Sequence, residues 1–387
     1  MHSFDTVTTS DLRAQFPHTE HLVYLDHAAT GPLSRPVMDA VQAFLEQRHR
    51  TRPNNYVDVM PTLERGRTRL ARLLGCAAER VEYAPNTSTG LNVLALGLDW
   101  QPGDRVAVPA CEFPANVQPW LGLRERYGVE VDFIPAERGG FTLGAVEQAL
   151  TPRTRVLAVS WVQFLSGFRC DLAALSELAH SQGVLLAVDA IQGLGALQLD
   201  VVQTGVDFLA SGGQKWMLGM QGSAFIYVTE ALQERLTPIR GWLNGPADWN
   251  DFGAFSEVLH PDATRFRIGT LPTVNALALD AALGLYFDCG AAWVEERVHG
   301  HAARFAEGFD RLGLRRFGSV DPARASGIVT VEVPDPEGLH AFLAERRIHV
   351  SVRDRKLRFA PHAYNSAAEV DQALAAVADG LTARVAV

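Results

Sequence analysis

Arg155-Val-Leu-Ala-Val-Ser160, then Asp171 to Gln182, then Val184-Leu-Leu-Ala-Val-Asp189 form the stretch from which the fold is read. The outer runs are β-branched and apolar, short enough for buried strands. Between them Leu172, Leu175, Leu178 and Ala179 share one helical face, with Asp171 placed to cap the helix and Gly183 to stop it. Strand, helix, strand in that order is a βαβ crossover, which predicts parallel strands covered by helices. Ligands of such sheets sit beyond the carboxyl ends of the strands, which puts Asp189 at the mouth of a site.

Working outward, Arg105 to Pro109, Val129 to Ile134 and Val206 to Ala210 read as further strands, and Gly222 to Val228 as another after a glycine-rich turn. Beyond about residue 260 the pattern changes. Thr273 to Leu312 reads as one long helix, followed by a strand (Gly327 to Val333), a helix (Pro336 to Arg346), two short strands around Asp354 and a last helix from Ala367. The expectation is a large α/β domain over 21–260 and a smaller α+β domain made of 261–387 with 1–20. The segment before Leu25 is expected to pack with the smaller domain.

Composition narrows the function. A formal net charge of -9 over 387 residues argues against nucleic-acid and anionic-membrane partners, which call for basic patches. The cysteines Cys76, Cys111, Cys170 and Cys289 are scattered with no C-x-x-C pair, which speaks against zinc and dithiol redox chemistry and for reduced thiols. The first residues have no apolar core like that of a signal peptide, and Leu277 to Val294, broken by Asp280 and Asp288, does not suit a bilayer span. A cytoplasmic protein is expected. No G-x-G-x-x-G follows a strand, so a nicotinamide-linked oxidoreductase lacks its warrant.

Chemistry concentrates in Val188-Asp-Ala-Ile-Gln-Gly193 and Ala210-Ser-Gly-Gly-Gln-Lys-Trp-Met-Leu-Gly219. A pyridoxal 5'-phosphate site needs a lysine to form an imine and a carboxylate against the pyridine nitrogen, because the protonated ring is the electron sink. Asp189 ends one strand and Lys215 follows the next, so both approach one crevice. Alone, either would read as a solvated loop residue; the combination with D-x-x-Q and a glycine-flanked K-W argues for a site.

These segments resemble those of the class V aminotransferase superfamily, including cysteine desulfurases and isopenicillin N epimerase-like proteins. The resemblance runs from about Tyr24 to the C-terminus. It also draws on Tyr24-Leu-Asp-His-Ala-Ala-Thr-Gly31, Asn86-Thr-Ser-Thr-Gly-Leu-Asn92, Glu112-Phe-Pro-Ala-Asn-Val-Gln-Pro-Trp120, Arg265-Phe-Arg-Ile-Gly-Thr270 and Leu357-Arg-Phe-Ala-Pro-His-Ala-Tyr-Asn365. It implies a fold type I enzyme with a mostly parallel seven-stranded sheet, acting on an amino acid, as a homodimer with sites at the interface. By the resemblance, Lys215 carries the cofactor and moves the substrate proton, Asp189 pairs with the ring nitrogen, and Gln192 lies near the ring hydroxyl. Thr87, Ser88 and Gln214 would hold the phosphate, joined by Thr270 from the neighbouring subunit, and Arg358 would clamp the substrate carboxylate. Outside that context Thr87 and Ser88 read as a helix cap, Arg358 as a surface arginine on a sheet edge, and His27 and His362 as structural histidines.

Two departures stand out. Where desulfurases stack a histidine on the cofactor, this chain has Phe113, which covers a ring face but shuttles no proton. Desulfurases also carry their sulfur-accepting cysteine on a loop near the C-terminus. Here Val350 to Arg358 contains none, and no cysteine follows Cys289. The expectation is therefore an aminotransferase or epimerase-like enzyme rather than a true cysteine desulfurase. A C–S lyase acting by β-elimination stays open as an alternative, as does a non-catalytic scaffold.

Overall fold

Seven apolar runs assemble into one sheet: β1 (Val81–Ala84), β2 (Arg105–Pro109), β3 (Glu130–Ile134), β4 (Thr154–Ser160), β5 (Leu185–Asp189), β6 (Phe208–Gly212) and β7 (Ala224–Val228). Their order is β1-β7-β6-β5-β4-β2-β3. This is the mostly parallel sheet expected above. The pairs β2–β3, β2–β4, β4–β5 and β5–β6 are parallel, and β7 runs antiparallel to both its neighbours. The exception has a plain cause. No crossover helix separates β6 from β7, only the glycine-rich loop that carries Lys215, and a direct return makes an antiparallel pair. The computed structural model describes residues 8–246, 251, 253 and 255–385; residues 1–7, part of the start read above as unlike a signal peptide, lie outside the described residues.

The central strands β5 and β6 are buried on both faces, as a covered parallel sheet requires. Alternation sorts them into two cores. Leu157, Val159, Leu186 and Val188 face the helix Leu172–Ser181, through Leu172 and Leu175. Val156, Ala158, Ala187 and Ala210 face the helix Thr87–Gly97, through Leu91 and Leu94. The expected cap is present: the Asp171 carboxylate accepts from the Ala174 N–H at 3.2 Å, and Gly183 closes the helix with φ 72°.

A second sheet of four antiparallel strands has the order β10-β11-β9-β8, from β8 (Arg316–Phe317), β9 (Val329–Val331), β10 (Ser351–Arg353) and β11 (Lys356–Phe359). A third core of Phe305, Phe309, Val331, Leu339, Leu343, Leu357 and Phe359 lies under it. The described part of the N-terminal segment joins this region: Val23–Tyr24 pairs in parallel with Ile348–His349, and Arg13 makes two hydrogen bonds to Glu369 at 2.8 and 2.9 Å.

The single helix expected over Thr273 to Leu312 is instead two, Thr273–Cys289 and Ala291–Arg311, bent by 84°. The break falls at Gly290, whose φ of 88° no helix accommodates; the apolar pattern runs on through it because both helices bury a face. The first of them packs Ala278 and Ala282 on Val37 and Val41 of the helix Arg35–Arg50. Among the described residues no single helix is long and apolar enough to cross a membrane.

Candidate active site

Asp189, the last residue of β5, pairs with Ala210 of β6, and the loop after β6 brings Lys215 to the same end of the sheet. A cavity of about 490 Å³ opens there. Lys215, Asp189, Gln192, Gln214, Thr87, Ser88, Phe113 and Arg358 all line it, together with Asn86, Phe164 and Arg353. Thr270 is the one site residue placed elsewhere, in a second cavity beside Tyr56 and Asn55.

Burial sets the electrostatics. Asp189 is 2 % exposed, and desolvation pushes its carboxyl up to about 6 against the pull of the Ile191 N–H and the Lys215 charge. Ile191 donates to Asp189 Oδ1 at 3.0 Å. Desolvation likewise brings the Lys215 ammonium down to about 8, with Asp189 opposing that fall and Arg358 adding to it. Among the described residues no ion pair joins Lys215 and Asp189, so both groups present themselves to the cavity. The Lys215 Nζ stands 5.8 Å from the centroid of the Phe113 ring, which is half-exposed and meets Phe164 edge-on at 5.2 Å.

Thr87 and Ser88 form the first turn of Thr87–Gly97, an eleven-residue helix capped by Asn86, which accepts from the Thr89 N–H at 2.8 Å. Thr87 Oγ1 is buried with no hydrogen-bond partner. Gln192 is held at both ends of its amide, donating to Ala28 O at 3.0 Å and accepting from Trp216 Nε1 at 2.9 Å. Gly31 donates to Gln214 O at 2.8 Å, and a Cβ there would collide with Lys215 O, so the Tyr24-to-Gly31 segment packs on the lysine loop only because this residue is glycine.

Arg358 is not on an edge. It lies in β11, between β10 and β9, and is 2 % exposed. Its Nη1 donates to Phe164 O at 2.8 Å and its Nη2 to Asp26 Oδ1 at 3.2 Å, while Nε has no partner. His27 and His362 are buried away from this cavity. His27 Nδ1 donates to Ala360 O at 2.7 Å and its Nε2 accepts from the Tyr364 hydroxyl at 2.7 Å; His362 Nε2 donates to Trp216 O at 2.9 Å.

Three residues were quoted in the sequence but not singled out. Asp26 anchors Arg358. Glu112, buried and pushed up to about 7 by desolvation, accepts from Ser160 N at 2.6 Å, Ser160 Oγ at 2.5 Å and Gln163 Nε2 at 2.7 Å, next to Phe113. Arg353 lines the cavity from the hairpin between β10 and β11. That hairpin turns on two residues, Asp354 and Arg355, both left-handed with φ 46° and 54°. None of the four cysteines lines the cavity, and burial pushes the Cys111 thiol up to about 12.

The model of the aminotransferase class-V family matches residues 23–355. A probable cysteine desulfurase of Methanothermobacter thermautotrophicus is 30% identical over 349 residues, covering 87% of this chain and 85% of the relative. The uncharacterized aminotransferase YcbU of Bacillus subtilis is 28% identical over 370 residues, covering 95% of this chain and 96% of its own. Among solved structures, the apo cysteine desulfurase of Thermococcus onnurineus superposes with a TM-score of 0.88 at 25% identity, over 99% of this chain and 100% of that one. With its lysine and aspartate at adjacent strand ends of such a sheet, the chain belongs to the class-V aminotransferase family of pyridoxal-phosphate-dependent enzymes.

Proposed function

We propose that this enzyme acts at the α-carbon of an amino acid, in an aminotransferase or isopenicillin N epimerase-like reaction, and forms no persulfide of its own. The observation that carries the proposal is one cavity lined by Lys215, Asp189 and the buried Arg358.

The cavity fits the cofactor through what it leaves unpaired. Thr87 Oγ1 lacks a partner at a helix N-terminus, a setting that favours an anion, so Thr87, Ser88 and Gln214 would hold the phosphate. Asp189 would take the ring nitrogen, Gln192 would stand near the ring hydroxyl, Phe113 would cover a ring face, and Lys215 would attach the group covalently. When bound, pyridoxal phosphate supplies an electron sink for the charge left at the α-carbon. Lys215 Nζ, its ammonium already weakened by burial, would take up the α-proton. Asp189, whose carboxyl burial pushes up to about 6, would face the ring nitrogen and hold a proton there. Arg358 would offer its guanidinium to a substrate carboxylate from an orientation preset by Phe164 and Asp26, so little freedom is lost on binding.

The desulfurase reaction needs a thiol that reaches the substrate. A two-residue turn stands where desulfurases carry that loop, and no cysteine lines the cavity. We also propose a homodimer in which Thr270 of a second copy completes the phosphate site; Trp242, Phe255, Val258 and Ile268, in the segment leading to Thr270, are exposed apolar side chains suited to that contact. The division into 21–260 and 1–20 with 261–387 is proposed alongside, with the helix Thr273–Cys289 packed across the join.

The test is mass spectrometry of holoenzyme reduced with borohydride, then of holoenzyme incubated with cysteine. Cofactor is expected on Lys215, lost in Lys215→Ala, and no persulfide on Cys76, Cys111, Cys170 or Cys289. An unmodified Lys215, or steady persulfide formation, overturns the proposal.

A further inference from the structure

Arg353 lines the cavity as a guanidinium with no carboxylate paired to it among the described residues. Its Nη1 donates to the carbonyl of its own neighbour Val352 at 2.7 Å. The acids nearest in the fold are committed. Asp354 receives the Lys356 ammonium at 2.8 Å. Asp26 Oδ1 accepts from both Arg358 Nη2 at 3.2 Å and Ser351 Oγ at 2.9 Å. Exposed arginines are commonly just solvated; this one is aimed by its hairpin.

Ser351 pairs with Arg358 and Arg353 with Lys356, so alternation puts Ser351, Arg353, Lys356 and Arg358 on one face of the ribbon. Arg353 and Arg358 are diagonal cross-strand neighbours, about 7–8 Å apart at the backbone and within reach of long side chains. The tight left-handed turn at Asp354 and Arg355 fixes that register. Two guanidinium groups on one face thus border the cavity, one buried and one open. Arg353 is also felt on the amine side: its charge disfavours the protonated states of Lys215 and Arg358.

We propose that Arg353 is a specificity-determining residue that reads a second anionic group on the substrate, so that the enzyme takes amino acids with an acidic side chain. This rests on the reading of the cavity as an amino-acid site. Arg358 binds the α-carboxylate and Arg353 the side-chain acid, each as a charge-assisted hydrogen-bonded pair. The lining residues given no other role, among them Ala28, Ala29, Thr30, Asn86, Ala115 and Ile191, carry no charge and offer an acid no competing carboxylate.

The test compares pairs of one shape and different charge: glutamate with glutamine, and aspartate with asparagine. Each is titrated into holoenzyme and its Kd read from the cofactor absorbance. The acid is expected to bind about tenfold more tightly than its amide, the ratio that one charge-assisted pair supports. Arg353→Gln collapses that ratio toward one, and Arg353→Lys restores part of it. Amides that bind as well as acids, or a ratio unmoved in Arg353→Gln, overturn the inference. If borohydride fixes no cofactor on Lys215, the site reading itself fails; if it does and amino acids bind without regard to side-chain charge, only the role of Arg353 fails.

Discussion

Asp189 and Lys215 carry opposite charges, yet burial moves the ionisation of both toward neutral pH, because it penalises any charge. In the cofactor-free protein the consequences for stability have opposite signs. Asp189 holds its proton more tightly folded than unfolded, so its contribution is complete below its ordinary value of 3.8 and is lost as pH rises through about 6. Lys215 holds its proton less tightly folded, so its contribution is complete above 10.5 and is lost as pH falls through about 8. Asp189→Asn removes the acid-side dependence. Relative to wild type, the cofactor-free variant is expected to gain on the order of 3 kcal/mol between about pH 4 and pH 7, read from denaturant melts across that range. A difference that stays flat with pH would show that this carboxylate is not desolvated. Single residues were only partly legible in the sequence. Lys215 and Asp189 announced themselves by their place after apolar runs, whereas Glu112 and Arg353 have no local mark that separates them from surface charges.

The helix Thr87–Gly97 shows how an element serves the site. It lies close enough to the sheet that a Cβ on Gly90 would stand 2.9 Å from Ala210 Cβ and 3.0 Å from Ile226 Cγ2. Gly90→Val is therefore expected to push the helix off β6 and β7, lowering stability by roughly 1–3 kcal/mol. Because the same shift moves Thr87 and Ser88, affinity for pyridoxal phosphate should fall with it, measured by cofactor titration of the refolded apoprotein. Normal stability with unchanged affinity would mean that the helix does not need this close approach. Helix caps and strand runs were readable here because their signals lie within a few residues. The bend at Gly290 was not, since a lone glycine inside a helical pattern is tolerated often enough that only its φ reveals the break.

For the whole molecule, Thr270 lines a different cavity from Lys215, and the proposed homodimer would bring it to the cofactor site from a second copy. Light scattering is expected to give twice the 42.2 kDa chain mass at micromolar concentration. Thr270→Ala should weaken cofactor binding without dissociating the pair. A monomer that binds pyridoxal phosphate fully would rule out the shared site.

From the order of residues alone came the parallel sheet, the helix that crosses it, the lysine and aspartate at neighbouring strand ends, and the lack of a cysteine near Arg358. The strand and helix signals among these are carried by spacing of about two to a dozen residues, the range over which strand alternation, helical periodicity and capping act. Arg358 became a buried, oriented group only in three dimensions, through Phe164 and Asp26, which lie 194 and 332 residues away along the chain. Whether Arg353 finds a carboxylate depends on the same remote packing, as does the burial that moves Asp189 and Lys215. Desolvation and charge compensation are set by neighbours in space, and no local pattern records who those neighbours are.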